Sequence, residues 1–348
     1  MRIDNFIGQV HLKAMPQKID LIDRKIAFLL CKNARLSNTA IAKALKLKRE
    51  VVSYRIKKMI ETKFITGFAT RINPRKIGFI VHFFFIKLKT PTNEKEMVEE
   101  LIKLNEITNL KNIGGKFDFY IEITTKHIED FNNILKKILD TYGHTIQDYA
   151  ILNSIGEEHM DVDLILKGNE KERDRLKGLR ETKGSSFHTE LEKRKTCNTP
   201  VKIDELDEKI LRALVPNARI GLKDIAKEVN SNFPLVTKRI KRLVEEGVIT
   251  TFTAFVSLAN LEMQMYPVLF HLRNIDENNF ITFLHSHQHI LWCHKLIGNW
   301  NYQVNIFAKN NAQFHDILND IREEFSDKII SFDTMMVFNS FKAIQRLH

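Results

Sequence analysis

The sequence has little of what marks several large classes of protein. Its 348 residues contain three cysteines, Cys31, Cys197 and Cys293, which are far apart and odd in number. Such a set forms neither a disulfide framework nor a CxxC metal pattern, so a reducing cytoplasm is the simplest location. No apolar run reaches the roughly 18 residues of a membrane span, and residues 1–17 hold no continuous apolar segment suited to a signal peptide. We therefore expect a cytoplasmic protein without a membrane partner.

What the chain does contain is an internal repeat. The segment Ile19–Phe68 returns 184 positions later at a constant offset, so that Asn33–Arg35 recurs as Asn217–Arg219 and Arg55–Lys57 as Arg239–Lys241. A constant offset over fifty residues means that neither copy contains an insertion or deletion relative to the other. The two halves of the chain are therefore expected to share one architecture.

The positive charge of the chain is concentrated in the first copy of the repeat. The whole chain carries a net charge of +11, and Lys18–Arg75 alone holds 15 Lys+Arg against 4 Asp+Glu, which is also +11. The corresponding stretch of the second copy, Lys202–Ala259, holds 10 against 8, or +2. A basic face suits a polyanion such as nucleic acid, although charge alone does not choose between DNA, RNA and anionic lipid.

Apolar spacing in the first copy predicts a helix ending near Asn33, a short helix over Asn38–Leu45 and a longer one over about Lys48–Thr62. A loosely alternating strand, Phe64–Arg71, follows. Two short helices before a longer basic one form the helix-turn-helix pattern, in which the last helix enters the major groove. Its basic side chains are expected to contact phosphates, while Ser53 and its counterpart Thr237 tune base preference. The predicted DNA-binding residues of the two copies are Lys48, Arg49, Ser53, Tyr54, Arg55, Lys57, Lys58, Ser231, Asn232, Thr237, Lys238, Arg239, Lys241 and Arg242.

After each helix-turn-helix the pattern changes to strand, helix, strand, strand, helix, strand, which is the ferredoxin-like arrangement. We therefore predict an α+β fold with two winged helix-turn-helix domains, each followed by a ferredoxin-like βαββαβ sensing domain. Lys167–Lys202 holds 11 basic and 6 acidic residues and is interpreted as a solvated tether with a helical piece from Glu170 to Arg180. The predicted domains are an N-terminal arm (1–17), a first helix-turn-helix (18–75), a first sensing domain (76–165), a charged linker (166–201), a second helix-turn-helix (202–259) and a second sensing domain (260–348).

Several spaced motifs resemble one family. Asp20-x-x-Asp23-x-Lys25-Ile26, Asn33-Ala34-Arg35, Ile41-Ala42, Val52-x-x-Arg55-Ile56 and Ile65-Thr66 are similar to the helix-turn-helix of the Lrp/AsnC (feast/famine) transcription regulators, and Gly114-Gly115-x-x-Asp118 resembles the turn of their ligand-sensing domain. The resemblance implies a winged helix joined by a hinge strand to a ferredoxin-like domain that dimerises face to face by its sheet. It also implies that small effectors, often amino acids, bind at the interfaces. The effector or interface residues carried over by position are Gly114, Gly115 and Asp118, with Gly298 and Asn301 as their second-copy equivalents.

The chain departs from that pattern in being a tandem fusion. Its second copy has Asn301 where the aspartate is expected, Trp300 in the turn, and a less basic recognition helix that begins at Ser231–Pro234. The expected function is therefore a regulator that binds double-stranded DNA with two non-identical readers and needs no cofactor. Its sensing domains are expected to pair as an internal pseudo-dimer or a homo-oligomer.

Two other functions use the same architecture and stay open at this point. Siroheme decarboxylases hold a tetrapyrrole with it, and an interaction scaffold would need no ligand at all. The candidate residues for such chemistry are His285, His287, His289, Cys293 and His294, yet no nucleophile–base pair or phosphate-binding glycine loop accompanies them. Alternation at a helix end sends neighbouring side chains in different directions, so we predict neither a metal site nor an enzyme.

Overall fold

A computed structural model of the chain describes residues 19–90, 94–160, 162–166, 168–177 and 199–344. The predicted N-terminal arm and residues 178–198 of the predicted linker lie outside the described residues. Among the helices that are described, none is long and apolar enough to cross a membrane. The α+β fold predicted from the sequence, with its two winged helix-turn-helix units and ferredoxin-like domains, is confirmed.

The elements follow the predicted order twice. In chain order they are α1 (Leu21–Lys32), α2 (Asn38–Leu45), α3 (Arg49–Glu61), β1 (Ile65–Ile72), a 3-10 turn (Pro74–Ile77), β2 (Ile80–Leu88), α4 (Glu94–Leu101), β3 (Ile107–Gly115), β4 (Phe119–Thr125), α5 (Ile128–Tyr142), β5 (Ile146–His159), a 3-10 turn (Asp163–Leu166), α6 (Glu170–Lys177), α7 (Glu205–Leu214), α8 (Leu222–Glu228), α9 (Phe233–Glu245), β6 (Ile249–Val256), a 3-10 turn (Ala259–Leu261), β7 (Gln264–Leu272), α10 (Glu277–Ser286), β8 (Ile290–Ile297), β9 (Tyr302–Ala308), α11 (Asn311–Glu324) and β10 (Ile329–Ala343).

Both helix-turn-helix units begin at the same capping box. The Asp20 side chain accepts the Asp23 N–H at 2.8 Å, and the Asp23 side chain accepts the Asp20 N–H at 3.3 Å. Asp204 and Asp207 make the reciprocal pair of bonds in the second unit at 3.0 and 3.1 Å. These bonds satisfy backbone donors that a helix leaves unpaired at its N-terminus. The start of each helix-turn-helix unit is therefore encoded locally.

The two helix-turn-helix units pack against each other around a pseudo-twofold axis. The Arg35 guanidinium donates to the Ala218 carbonyl at 2.7 Å, and the Arg219 guanidinium donates to the Ala34 carbonyl at the same distance. Burial lowers the pKa of Arg35 to about 10, with the charge of Arg219 as a smaller cause. Strands β1 and β6 pair antiparallel into a two-stranded wing sheet beside this contact. The repeat thus forms its pseudo-dimer within one chain.

The strands of the two sensing domains close into a single eight-stranded barrel, in the order β10-β3-β4-β2-β5-β8-β9-β7. The domains join along β5–β8, where Asn153 lies opposite Ile297, and along β10–β3, where Met335 lies opposite Gly115. The resemblance implied that the sheets pair face to face; the structure adds two hydrogen-bonded edge junctions to that contact. Every strand of the described barrel consequently has a partner on both sides.

Aromatic side chains fill one half of the barrel interior. Phe83, Phe85 and Phe117 are at most 1% exposed, and Trp300 is 5% exposed. They belong to one apolar cluster that both sensing domains contribute to, as expected of a barrel just wide enough for side chains. The other half of the interior is polar and includes Lys111, Glu122, His294 and Gln303.

The start of the linker is not the solvated tether that its composition predicted. The 3-10 turn Asp163–Leu166 and the helix α6 (Glu170–Lys177) pack on the first helix-turn-helix unit, where Leu176 is 1% exposed. The Lys25 ammonium and the Glu172 carboxylate lie 2.9 Å apart across this contact. The composition is charged because α6 buries a single leucine, while its charged side chains are exposed or half-buried. The predicted helical piece exists, but it is docked.

Candidate functional site

The exposed side of α3 carries a basic surface. Val52, Ile56 and Met59 turn inward and are buried, because apolar residues at this spacing share one face of a helix. The opposite face is polar, and Tyr54 on it is 66% exposed. The predicted DNA-binding residues that are exposed on this side are Lys48, Arg49, Ser53, Tyr54, Lys57 and Lys58.

Arg55 lies on the same helix but is bound to its own unit. Its guanidinium Nη1 is 2.8 Å from carboxylate oxygens of both Asp20 and Asp23. These hydrogen bonds, that to Asp23 first, raise the pKa of Arg55. Arg55 therefore fastens the recognition helix α3 to the capping box of α1 rather than extending into solvent.

In the second recognition helix, α9, two basic residues form ion pairs of the same kind. The Arg239 Nη1 lies 2.5 Å from an Asp204 carboxylate oxygen, and both Arg239 and Arg242 contact the fully buried carboxylate of Asp207. Lys238 and Lys241 remain exposed on this helix.

The polar residues near the start of α9 take part in local capping. The Asn232 side chain caps the helix by accepting the Leu235 N–H at 2.9 Å, and the Thr237 hydroxyl donates to the Phe233 carbonyl at 2.8 Å. Ser231 is half-buried. Together with the two bound arginines, these contacts leave α9 with a smaller exposed basic face than α3.

Three of the predicted effector residues, Gly114, Gly115 and Gly298, lie where the two sensing domains meet. Gly114 lies against Phe338 of β10, and a Cβ on Gly298 would clash with Leu152 of β5. Within the first sensing domain, Asp118 accepts hydrogen bonds from the Lys87 ammonium at 2.9 Å and the Leu88 N–H at 2.8 Å. Within the second, Asn301 accepts the Leu272 N–H at 2.9 Å and donates to the Leu272 carbonyl at 2.7 Å. Gly115 has a φ of +123°, and the turns at Gly115 and Gly298 lie at the contact between the domains. They do not line the cavity described below.

We expect Gly298→Ala to destabilise the contact between the sensing domains. Gly298 has a φ of +146°, and an added Cβ would meet the Leu152 side chain, so strain and overlap together should cost about 2–3 kcal/mol. Gly78→Ala is the matched control, because Gly78 has a φ of +84° but open space around it and should cost about 1 kcal/mol. Urea unfolding of both variants measures the difference, and equal losses would contradict a close contact at Gly298.

The histidines and the cysteine singled out in the sequence do not converge. His285 is exposed, His287 faces Asp320 at 3.2 Å, and His289 bonds to the Phe307 carbonyl at 2.8 Å. Cys293 is buried in the apolar core of the second sensing domain. Only His294 points into the barrel, where it joins a different set of residues. In the described part of the chain, no cluster of three or more metal-ligating side chains is found.

A cavity of about 230 Å³ lies between the wing sheet and the polar half of the barrel. Its upper wall comes from the DNA-binding units: Arg71 of β1, Arg75 of the following turn, Phe255 of β6, and Val215 and Pro216 at the end of α7. Its lower wall comes from seven of the eight barrel strands, all but β7. The residues of the lower wall used below are Asn109, Lys111, Tyr120, Glu122, Glu157, His159, His294 and Gln303.

A charged chain of contacts crosses the cavity from the wing sheet to the barrel. The Arg71 guanidinium is 2.8 Å from His159 Nδ1, and His159 Nε2 is 3.0 Å from the Glu157 carboxylate. His294 Nε2 lies 3.9 Å from the same carboxylate. Partial desolvation of the Glu157 side chain, which is 36% exposed, opposes its ionisation, but His159, His294 and Arg71 outweigh this and hold the Glu157 pKa well below its usual range. Glu157 is therefore an anion surrounded by cationic and imidazole groups.

Other polar groups of the cavity lack a partner. Lys111 is 8% exposed, and its ammonium lies over the Tyr120 ring at 5.0 Å without an ion pair in the described structure. Burial lowers the pKa of Lys111 to about 8. Atoms that are buried and find no hydrogen-bond partner among the described residues include Arg75 Nη1, Asn109 Oδ1, His294 Nδ1 and Gln303 Oε1. Buried polar atoms are normally paired, and a cluster of exceptions is informative.

This cavity cannot be predicted from the sequence, because its walls come from strands far apart in the chain. One local pattern does point to it: Glu157 and His159 lie two positions apart at the end of β5, so they share one face of the strand. Polar residues at a spacing of two on a strand share one side. Nothing in the sequence singles out Arg71 and Lys111, which share the cavity with Glu157 and His159 only in the folded structure.

Comparison with known proteins supports the same architecture. A family model described as winged helix-turn-helix DNA-binding matches residues 19–66 and 203–250, and one described as Lrp/AsnC ligand binding domain matches residues 268–347. PH0140 of Pyrococcus horikoshii, an uncharacterized HTH-type transcriptional regulator, is 30% identical over 139 residues, which are 40% of this chain and 88% of that protein. The chain belongs to the Lrp/AsnC family of transcriptional regulators.

Relatives of this Lrp/AsnC regulator correspond to single units of it. The proline dehydrogenase transcriptional activator of Rhodobacter capsulatus is 24% identical over 151 residues, which are 42% of this chain and 97% of that protein. The relative is thus matched over nearly its whole length by less than half of this chain. The tandem duplication predicted from the repeat is confirmed by the double match of the winged-helix model.

A solved structure matches both units at once. The siroheme decarboxylase NirDL has a TM-score of 0.61 at 11% identity, over 93% of each chain. A second structure of NirDL, with a TM-score of 0.60, is a co-complex with an iron-uroporphyrin III analogue. At this identity the likeness shows that the fold is shared across the full pair of units in the Lrp/AsnC regulator and in NirDL.

Proposed function

We propose that this Lrp/AsnC regulator binds double-stranded DNA as a single-chain pseudo-dimer whose two recognition helices contact different bases. The observation that carries the proposal is the unequal exposed face of the two helices. The first, α3, exposes Lys48, Arg49, Lys57 and Lys58, whereas α9 exposes Lys238 and Lys241. Exposed lysines and arginines on a recognition helix suit phosphate contacts, which set affinity.

The bound arginines are assigned a different role from the exposed lysines. Arg55 and Arg239 hold their recognition helices to the capping aspartates, and Arg242 holds α9 to Asp207. In the proposed complex they orient the helices, and Ser53 and Tyr54 of α3 reach base edges. Thr237, whose hydroxyl is already bonded within α9, has less capacity to do so.

We further propose that a small molecule, of which an amino acid is the type implied by family resemblance, regulates this binding through the paired ferredoxin-like domains. The support is the barrel itself, because it joins both sensing domains and underlies the wing sheet. An effector that prefers one arrangement of these two layers would shift DNA affinity by that preference.

An exchange of half-sites tests the DNA proposal. We expect the full chain to bind an asymmetric operator, selected from random DNA, at least about tenfold more tightly than either palindrome made from one of its half-sites; a mismatched base costs about 1–3 kcal/mol. Fluorescence anisotropy with the three duplexes at one salt concentration measures this. Equal affinity for a palindrome would contradict two different readers.

A siroheme-decarboxylase-like enzyme is the alternative, and two observations favour it: the shared fold with NirDL and the imidazoles of His159 and His294 in the central cavity. The cavity volume of about 230 Å³ argues against it, because it is below the roughly 300–1,000 Å³ of sites for drug-sized ligands, and a tetrapyrrole is larger still. A Soret band that stays with the purified chain after incubation with uroporphyrin would favour the enzyme.

A further inference from the structure

The cavity between the wing sheet and the barrel has an excess of positive charge. Three cations, Arg71, Arg75 and Lys111, face two carboxylates, Glu122 and Glu157. Glu157 is matched by its contacts with His159 and the nearby Arg71. The second carboxylate, Glu122, accepts hydrogen bonds from the hydroxyls of Thr108 and Tyr120, and Arg75 and Lys111 form no ion pair within the described structure.

Those two cations come from the two layers that enclose the cavity. Arg75 follows the wing strand β1, and its buried Nη1 has no hydrogen-bond partner among the described atoms. Lys111 lies on the barrel strand β3 and is 8% exposed. Placing an ammonium in such surroundings is costly unless an anion compensates it. Burial accordingly lowers the Lys111 pKa to about 8, although Glu122 opposes the shift.

The cavity also contains hydrogen-bond acceptors that have no donor among the described residues. Gln303 is 2% exposed and donates through Nε2 to Asn305, which leaves its Oε1 without a partner. Asn109 Oδ1 is buried and unpaired as well. His294, 7% exposed, has an unpaired Nδ1 beside them. A ligand that satisfies this wall must carry a hydroxyl or an ammonium group in addition to its anionic groups.

Volume limits the size of such a ligand. A cavity of about 230 Å³ suits a small molecule, because it lies below the roughly 300–1,000 Å³ of sites for drug-sized ligands. A four-carbon dicarboxylate with one hydroxyl or ammonium group is such a molecule. Its two carboxylates would match Arg75 and Lys111, and its donor group would match the Gln303 and Asn109 oxygens.

We propose that this cavity is a binding site for a small dicarboxylate that carries a hydroxyl or ammonium group, and that its occupancy changes DNA affinity by fixing the wing sheet to the barrel. The second part rests on the proposed function. A ligand held between Arg75 and Lys111 bridges the two layers, next to the existing contact of Arg71 with His159 at 2.8 Å. The site is distinct from the glycine turns at the edge junctions, which share no residue with it.

Isothermal titration calorimetry of the full chain at pH 7 tests the site with named probes. L-malate and L-aspartate present the two donor types, succinate lacks the donor, and 1,4-diaminobutane reverses the charge. We expect malate or aspartate to bind at least about tenfold more tightly than succinate, since an unpaired buried acceptor costs about 1–3 kcal/mol, and the diamine not to bind. Binding of none of the three acids, or of the diamine as well, would overturn the proposal.

A pair of lysine variants separates a site from a general charge effect. Lys111→Met removes the buried ammonium; we expect it to abolish binding of malate and aspartate and to raise the temperature of thermal unfolding. Lys295→Met is the matched control, because Lys295 occupies the same position of the repeat but pairs with Glu277 away from the cavity. Its affinity for the probes should equal that of the wild type. Unchanged binding to Lys111→Met would refute the site.

Anisotropy with operator DNA then tests the coupling. Saturating malate or aspartate should change the DNA affinity about fivefold or more, and DNA should change the probe affinity by the same factor. If a bound probe left the DNA affinity unchanged, the coupling would be refuted but the binding site would not. Probe binding by a chain that binds no DNA would instead refute the proposed function, so the two failures are distinguishable.

Discussion

Raising the salt concentration from 50 to 200 mM should weaken operator binding by about 10³-fold. Six exposed basic residues lie on the two recognition helices, namely Lys48, Arg49, Lys57, Lys58, Lys238 and Lys241. If each neutralises one phosphate, the slope of log affinity against log salt is about −5, at roughly 0.9 per contact. Anisotropy titrations at four or five salt concentrations give this slope, and a slope near zero would rule out phosphate binding by these helices.

Equivalent positions of the repeat supply the control for the salt experiment. Lys58 of α3 is exposed, whereas Arg242, which occupies the same position in α9, contacts the buried Asp207 carboxylate. Lys58→Ala should reduce the salt slope by about 1, while Arg242→Ala should leave the slope unchanged and lower stability. A loss of slope in both variants would show that Arg242 leaves Asp207 to bind DNA.

Replacing Asp207 by alanine should have the largest effect on stability. Its side chain is fully buried, contacts Arg239 and Arg242, and accepts the Asp204 N–H of the capping box at 3.1 Å. Removing it leaves a backbone donor and the two guanidinium groups short of a partner, which should cost about 3 kcal/mol. The value is near the low end for buried ion pairs because Arg239 and Arg242 remain 27% and 39% exposed. Urea unfolding measures it.

Asp23→Ala in the first copy is the comparison for this variant. Asp23 occupies the position of Asp207 in the repeat, but its side chain is 16% exposed and pairs with a single arginine, Arg55. We expect a loss of about 1 kcal/mol, the value of a partly exposed pair and a helix cap. If both variants lost the same free energy, the buried double contact in the second unit would contribute nothing beyond the cap.

The DNA-binding units could be predicted well from sequence because their determinants are local. The capping box, the apolar spacing and the basic face of α3 all lie within about fifty residues, and the repeat supplied the same information twice. The sequence did not reveal which of the basic residues are exposed and which pair with aspartates of the same unit. In the sequence, Arg55 is as plausible a phosphate contact as Lys57. Only the structure shows that Arg55 pairs with Asp20 and Asp23 and so holds α3 to α1.

The barrel and its cavity depend on contacts that no local pattern records. Asn153 pairs with Ile297 and Met335 with Gly115, so the closing strands are more than a hundred residues apart. Strand propensity predicts each strand, but the choice of partner follows from how the two halves fit together. His294 was noticed among other histidines, yet its neighbours Arg71 and Lys111 come from other strands. A cavity whose residues come from both halves of the chain therefore cannot be recognised from a sequence pattern.

The two edge junctions, β5–β8 and β10–β3, also determine how the regulator behaves on dilution. A homodimer that separates at low concentration loses its second reader, so its DNA occupancy falls more steeply than its concentration. Here the second reader is covalently attached and its barrel is closed by strands of the same chain. We therefore expect occupancy of the operator to follow protein concentration to first order, because both helix-turn-helix units belong to one chain.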